Sequence, residues 1–259
     1  MWAQMVPIGV GLGSSWHNDR MTGKRPRPLV YGHRGASAHA RGNTVEAFAL
    51  AIEHGADGVE LDVRSTRDGA LIVHHDDRPS ADAAPFVIQD LAAIKAASPW
   101  VATLDEAWQA LGPSALLNLE IKNEIGQADF DQSRRLSKEV VRWIERNEAA
   151  SRTLVSSFDG ISLAAVGKAE PGIETGLLTT AAVDPLVAIE WANRGGHVSV
   201  HLPAPVVLED AQEIVAAADP LRVLVWTVND PATAVTLAEA GVAGLFSDDP
   251  GLIVATLSG

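Results

Sequence analysis

The sequence predicts a parallel α/β fold, and a closed TIM (β/α)8 barrel in preference to an open doubly wound sheet. Three observations support this. From Pro28 onward, short runs rich in Val, Ile and Leu alternate with stretches of helical periodicity. The segments between those runs are long enough for the right-handed crossovers that parallel strands require. No Gly-x-Gly-x-x-Gly follows the first run, so the usual signal of a dinucleotide-binding open sheet is missing. Composition agrees with one well-filled core, since 47% of the 259 residues are hydrophobic and 20% are charged. Such a barrel takes roughly 250 residues. Residues 29–259 are therefore expected to form a single barrel domain. An N-terminal tail, 1–28, precedes it, interrupted by Pro7 and polar from position 14, with Met21 as an alternative start.

The elements follow in order. Leu29–Gly32 reads as the first strand. Asn43, with Glu46 three residues on, has the pattern of a capping box opening a helix over Thr44–His54, and Gly55 fits the helix stop. Asp57–Val63 is the next strand. Asp68-Gly69 is a strong hairpin signal, with Ala70–His75 as the returning arm. A two-residue hairpin there pairs position n with 137 − n and sets His75 opposite Asp62. Later strands are expected at 115–122, 152–157, 174–178, 197–202, 221–228 and 244–247. Helices are expected near 103–111, 131–148, 160–168, 184–194, 207–218 and 231–240. The barrel has eight strands if 70–75 is an arm outside the ring, and nine if it is a member.

Charge narrows the function classes. Twenty Lys and Arg against 33 Asp and Glu give a net charge of −13, which disfavours broad binding to nucleic acid or anionic membranes. The absence of Cys excludes disulfides, thiolate zinc sites and a Cys nucleophile. No apolar run reaches the ~18 residues of a membrane helix. The N-terminus has no basic region of the kind that opens a signal peptide. The expectation is a cytoplasmic protein acting on a small molecule, without stable membrane insertion.

In a barrel the chemistry lies at the C-terminal ends of the strands. His33-Arg34-Gly35 follows the first strand. Glu60 and Asp62 sit two apart on the second and share a face, and Glu120 and Lys122 repeat that spacing on the strand at 115–122. Glu60, Asp62 and Glu120 converging at one mouth would repel unless a cation neutralised them. Oxygen ligands of this kind suit one divalent ion, Mg²⁺ or Ca²⁺. Arg34 and Lys122 leave a positive rim for phosphate. His33 and His75 carry imidazoles, the side-chain type suited to proton transfer near neutrality, and are the candidate general acid and base. Metal, phosphate clamp and two imidazoles together describe phosphodiester cleavage.

Other residues read as structural. His74 is expected to face the far side of its arm. His197 and His201 share a face of one strand and are weaker candidates for the upper barrel wall. Trp100, Trp108, Trp143 and Trp191 read as packing residues, and Asp248-Asp249-Pro250 as closing the last strand rather than binding metal. Ser156 and Ser157 lack the Gly-x-Ser-x-Gly context of a nucleophile elbow.

The ordered set His33-Arg34-Gly35-Ala36-Ser37, Asn43-Thr44, Gly58-Val59-Glu60-Leu61-Asp62-Val63, Thr66-Arg67-Asp68-Gly69, His75-Asp76, Leu119-Glu120-Ile121-Lys122, Trp226-Thr227-Val228-Asn229 and Ser247-Asp248-Asp249-Pro250 resembles the signature of glycerophosphodiester phosphodiesterases. The resemblance spans about residues 30–255. It implies a TIM barrel, metal ligands Glu60, Asp62 and Glu120, a catalytic pair His33 and His75, phosphate-binding Arg34 and Lys122, and Trp226 lining the substrate cleft. It also favours His75 over His74. The implied reaction is hydrolysis of a glycerophosphodiester to sn-glycerol 3-phosphate and an alcohol. The nucleophile would be either the substrate's own glycerol hydroxyl, through a cyclic phosphate, or water. Lysophospholipase D-like or phospholipase C-like activity, and a catalytically weakened binding barrel, are the alternatives. Two departures stand out. Gly42 occupies the place of a Glu usual in the family, which implies a less firmly braced Arg34. The segment between His75 and Thr103 is short, which implies a more open head-group pocket or a different one.

Overall fold

Eight parallel strands close on themselves in the computed structural model, which describes residues 27–258. With one further strand, antiparallel, the nine strands of the described residues are β1 (Leu29–His33), β2 (Gly58–Ser65), β3 (Leu71–Val73), β4 (Leu116–Ile121), β5 (Thr153–Ser157), β6 (Glu174–Leu178), β7 (Ser199–Pro203), β8 (Arg222–Trp226) and β9 (Gly244–Ser247). Around the ring the order is β1, β9, β8, β7, β6, β5, β4, β2, and the parallel β1–β2 pairing closes it. This is the expected TIM barrel, with β3 as an antiparallel arm on β2 outside the ring.

Strand alternation sorts the side chains into two cores. Val59, Leu61 and Val63 on β2, with Leu117, Leu119 and Ile121 on β4, face outward into the main hydrophobic core. Both strands are buried along their whole length, as expected when a parallel sheet is covered on both faces. Truncating one of these residues, such as Leu119→Ala, should cost about 2–5 kcal/mol. The alternate positions face the barrel axis. A smaller apolar cluster of Tyr31, Leu116, Leu154, Leu224 and Phe246 fills the interior. In the next inward layer the register sets His33 beside Glu60, Glu60 beside Asn118, and Asp62 beside Glu120. Gly58 is needed at this constriction, because a Cβ there would lie 2.4 Å from the Leu116 carbonyl oxygen. Polar residues two apart on one strand thus rise from an apolar floor to the mouth.

Several boundaries differ from expectation. The first helix, Val45–Glu53, is capped by Thr44, whose hydroxyl accepts from the Ala47 N–H at 3.2 Å. Asn43 is not the cap; it adopts a left-handed φ of 60° and its side chain goes elsewhere. The hairpin loop has three residues, Arg67-Asp68-Gly69. Gly69 sits at φ 81°, and the Thr66 N–H donates to the Ala70 carbonyl at 3.0 Å. A three-residue loop with a left-handed glycine moves the register by one from that of the two-residue turn. Val63 accordingly pairs with Val73, and the His74 N–H donates to the Asp62 carbonyl at 2.9 Å. His74, not His75, therefore lies opposite Asp62. The helix expected over 207–218 is two, Ala204–Val207 and Ala211–Ala218, and helices at Leu91–Ala97 and Pro250–Ser258 were not anticipated. Arg27 forms a two-bond ion pair with Asp57, at 2.6 and 3.1 Å, so positions 27–28 belong to the barrel rather than to a tail. The rest of the expected tail, and Met21, lie outside the described residues. No helix among the described residues is long and apolar enough to cross a membrane.

Candidate active site

The first βα turn carries the sharpest backbone feature of the mouth. Immediately after β1, Arg34 takes φ 58° and Gly35 φ 85°. A left-handed conformation is uncommon for a residue with a side chain. Here it aims the Arg34 N–H at the Glu60 carboxylate, 2.8 Å away. The Arg34 Nε, buried and without a hydrogen-bond acceptor, lies 3.5 Å from Asp62. Asn43 closes this corner from two directions: its amide donates to Asp62 at 2.7 Å, and its oxygen accepts from the Asp62 N–H at 3.3 Å. Reading Asn43 as a helix cap missed this role.

Glu60, Asp62 and Glu120 are buried, with a carboxylate oxygen of each within 4.8 Å of the others. Burial, and then the charges of Asp62 and Glu120, push Glu60 well above the usual carboxylate range. Burial and the Asp62 charge push Glu120 up to about 7, against the pull of Lys122. For Asp62, burial is opposed by Lys122, Arg34, His75 and the Asn43 bond, which together hold it below its ordinary value. Lys122 sits among these acids, 2.9 Å from Glu120, 2.9 Å from Glu124 and 3.6 Å from Asp62. Burial disfavours its charge, but the acids outweigh that and hold it above the usual lysine range. Glu60 and Glu120 thus carry a raised proton affinity, from burial first and from the neighbouring carboxylates second, despite two adjacent cations. The donor set, all hard oxygens, fits one Mg²⁺ or Ca²⁺.

The two imidazoles are held differently. His33 Nδ1 is 2.7 Å from Asp248, leaving Nε2 for the cavity. Asp248 also accepts from the Ser37 hydroxyl at 2.9 Å and the Asn229 amide at 2.6 Å. Burial works against its charge, but His33, Asn229 and Ser37 hold its carboxyl down at about 2. Asp248 was expected only to close the last strand; the structure turns its carboxylate onto His33. The signal available was its position directly after the C-terminal end of β9. His75 reaches the cavity from the arm, because β3 ends at Val73 and the chain then bends. Its Nδ1 meets Asp76 at 2.8 Å. Burial lowers its proton affinity, with Asp62 opposing. The turn is tethered by the fully buried Arg64, which donates to the carbonyls of His74 and His75 at 3.2 and 3.1 Å and pairs with Asp129 at 2.5 Å. His74 instead packs against Phe86 and Trp100, with ring centroids at 5.1 and 5.5 Å.

His33, Arg34, Glu60, His75, Glu120 and Lys122 all line one cavity of about 250 Å³, and Asp62 lies beneath it. Part of the lining is apolar. Trp226 and Phe158 meet edge-to-face there at 5.9 Å, and Leu178 and Phe246 complete it. Of the later histidines, only His201 is in this lining. Its Nδ1 has no partner, and burial lowers it to about 3. His197 precedes β7 and bonds Thr175 at 2.8 Å, so the two do not act as a pair. Glu124, on a loop with no periodicity to expose it, was missed, and Phe158 was assigned no role in the cavity. A larger hollow, of about 440 Å³ beside Leu71 and Arg142, does not gather the paired cations, imidazoles and carboxylates found here.

Residues 33–252 match the model of the glycerophosphoryl diester phosphodiesterase family. A glycerophosphodiester phosphodiesterase of Caldanaerobacter subterraneus is 30% identical over 245 residues, which cover 88% of this chain and 97% of the relative. The crystal structure of a glycerophosphodiester phosphodiesterase from Thermotoga maritima superposes with a TM-score of 0.76 at 27% identity, covering 90% of this chain and 99% of that one. A phosphodiesterase from Oleispira antarctica, solved with the product sn-glycerol-3-phosphate, superposes with a TM-score of 0.74 at 26% identity, over 90% of this chain and 98% of that one. With the barrel, the ordered motifs and a match over most of its length, the chain belongs to the glycerophosphoryl diester phosphodiesterase family.

Proposed function

We propose that this enzyme cleaves glycerophosphodiesters to sn-glycerol 3-phosphate and an alcohol, using His33 and His75 as the proton-transfer pair. The observation that carries the reading is the convergence of two imidazoles, two cations and three buried carboxylates on one cavity. Arg34 and Lys122 seat the phosphate, the guanidinium by paired N–H donors and the ammonium as a point charge. His33, backed by Asp248, accepts at Nε2 the proton of the attacking nucleophile, and the Asp248 carboxylate steadies the imidazolium that results. His75, which lines the same cavity, protonates the departing alcohol. With water as nucleophile glycerol 3-phosphate forms directly; with the substrate's own glycerol hydroxyl a cyclic phosphate forms first, and water then opens it, giving its proton to His75 while His33 returns the proton to the freed hydroxyl. Trp226 and Phe158 exclude water at the apolar part of the lining. Glu60, Asp62 and Glu120 would hold a divalent cation, which would supply Lewis-acid polarisation of the phosphoryl group and offset charge building up in the transition state.

The volume of about 250 Å³ suits a glycerophosphoryl group better than a lipid tail, which favours soluble diesters over lysophospholipids. The test is a turnover panel of glycerophosphocholine, glycerophosphoethanolamine, lysophosphatidylcholine and phosphatidylinositol, with product identified as glycerol 3-phosphate or otherwise. Release of glycerol 3-phosphate from the first two is expected. Activity confined to the lipids would move the assignment to the lipase alternatives. No turnover of any diester by the metal-supplemented enzyme would leave a binding barrel.

A further inference from the structure

Outside the cavity, three metal-competent side chains from distant parts of the chain meet on the surface. His39 comes from the loop after β1, His54 from the end of the first helix, and Asp249 from the turn after β9. Their ligand atoms all lie within 4.8 Å of one another. His39 Nε2 is already 3.0 Å from Asp249 Oδ2, and the two imidazoles stand edge-to-face at 5.4 Å. The carboxylate is held from behind: its Oδ1 accepts from the Leu252 N–H at 3.1 Å, which leaves Oδ2 turned toward the histidines. The pocket for His54 depends on a glycine. A Cβ at Gly251 would sit 3.1 Å from the His54 Cβ and 3.2 Å from its Nδ1. Among the described residues the His54 imidazole has no hydrogen-bond partner. His39 is 43% exposed and Asp249 27%, so an ion can reach them.

We propose that His39, His54 and Asp249 form a second metal site, selective for a divalent transition ion of the zinc class and distinct from the carboxylate cluster. Two imidazoles and one carboxylate are the donor set of such ions, whereas Mg²⁺ and Ca²⁺ seek oxygen. Ligand atoms about 2.1 Å from one tetrahedral ion lie roughly 3.4 Å apart, so modest side-chain rotation completes the site, with water as the fourth ligand. The site joins two loops that also serve the cavity. The loop of His39 carries Arg34 and Ser37, and Asp249 follows the Asp248 that holds His33. Bound ion therefore staples the first and last βα turns together and stiffens the backing of His33.

The test uses the full chain in excess Mg²⁺, titrated with Zn²⁺ by calorimetry and dialysis, beside the His39→Asn/His54→Asn double variant. Neither residue touches the cavity, so the Mg²⁺-supported turnover of the variant should stay within about twofold of wild type. Wild type should bind one more equivalent of Zn²⁺ than the variant and show a Zn²⁺-dependent rise in Tm that the variant lacks. In Co²⁺-loaded wild type, visible d–d absorption should disappear with His54→Asn alone. Equal Zn²⁺ stoichiometry and equal Tm response in the two proteins would overturn the proposal, and so would loss of the extra equivalent only when Glu60 is replaced by Gln. Neither result bears on the phosphodiesterase reading, which is tested without Zn²⁺.

Discussion

The two sides of the cavity are built to different standards of rigidity. On one side His33 belongs to β1 and is held by Asp248, itself fixed by Ser37 and Asn229. On the other, His75 lies beyond the end of β3, and its ring partner Asp76 is 71% exposed, against 34% for Asp248. What is fixed on the His75 side is the backbone, through Arg64 and the carbonyls of His74 and His75. The difference teaches that one barrel can hold one imbedded imidazole by its ring and another by its main chain. The ring-held group suits proton abstraction at a set point. The main-chain-held group suits a leaving alcohol whose shape varies.

The strongest challenge to this comparison removes what the two sides share. Glu60→Gln or Asp62→Asn keeps shape but deletes charge, so turnover should fall below detection and calorimetric binding of Mg²⁺ or Ca²⁺ should weaken with it. Next, His33→Ala and His75→Ala should each lower kcat by at least ~10²-fold, the scale of a lost general acid or base. His74→Ala should act only through packing on Phe86 and Trp100, lowering Tm with little effect on kcat. An essential His74 beside a dispensable His75 would reverse the assignment.

The asymmetry itself is tested by the carboxylates behind the rings. Asp248→Asn should lower kcat by roughly 10–100-fold with a small change in KM, because it disturbs the imidazolium and not phosphate seating. Asp76→Asn should change kcat by less than about threefold, because an exposed pair contributes little. Equal losses in the two variants would abolish the distinction. Asp248 also predicts a pH effect on stability. Its folded value, about 2, lies below that of an unfolded Asp near 4, so its contribution is complete above about pH 4 and fades as pH falls through 2. Acid unfolding followed by circular dichroism should show that loss in wild type and not in Asp248→Asn. Solvent screening of the partly exposed carboxylate keeps the difference on the order of 1 kcal/mol.

The smallest expected effect concerns Gly42. A Cβ there would meet the Arg34 Cβ at 3.2 Å and the Ser37 Cβ at 3.4 Å, so a side chain fits only if the loop gives by a few tenths of an ångström. The carboxylate of Gly42→Glu would then lie within reach of the guanidinium. Turnover should stay level or rise severalfold, with a lower KM if preorganising Arg34 repays the strain. Abolished activity would show a loop shaped for a different substrate. Arg34→Ala, in contrast, should raise KM and lower kcat together.

The barrel was legible because parallel strands buried on both faces leave continuous apolar runs, and the pairs Glu60/Asp62 on β2 and Glu120/Lys122 on β4 were legible because strand alternation has a period of two. The hairpin register was not. It depended on whether Arg67 belonged to the loop, and the left-handed Gly69 serves a two-residue or a three-residue turn equally well in sequence. His75 was first placed opposite Asp62 by that mistaken register and was then favoured over His74 by the family resemblance, while the backbone reason for its position, Arg64 gripping two carbonyls, needed coordinates. Asn43 and Asp248 were misread for one reason: each has a strong local explanation, a helix cap and a strand end, and its actual partner lies 19 or 215 positions away. Loop residues such as Glu124 and Phe158 follow no period at all.

The central claim, that one cavity joins a cation held by three carboxylates to two proton-transferring histidines, is tested most directly by chelation. Enzyme stripped with EDTA is assayed on glycerophosphocholine and glycerophosphoethanolamine, then again after adding back Mg²⁺ or Ca²⁺, with Glu60→Gln in parallel. The account predicts at least ~10²-fold loss on stripping, recovery with one of the two ions, and no recovery in Glu60→Gln. Full turnover by the stripped wild-type enzyme would contradict it.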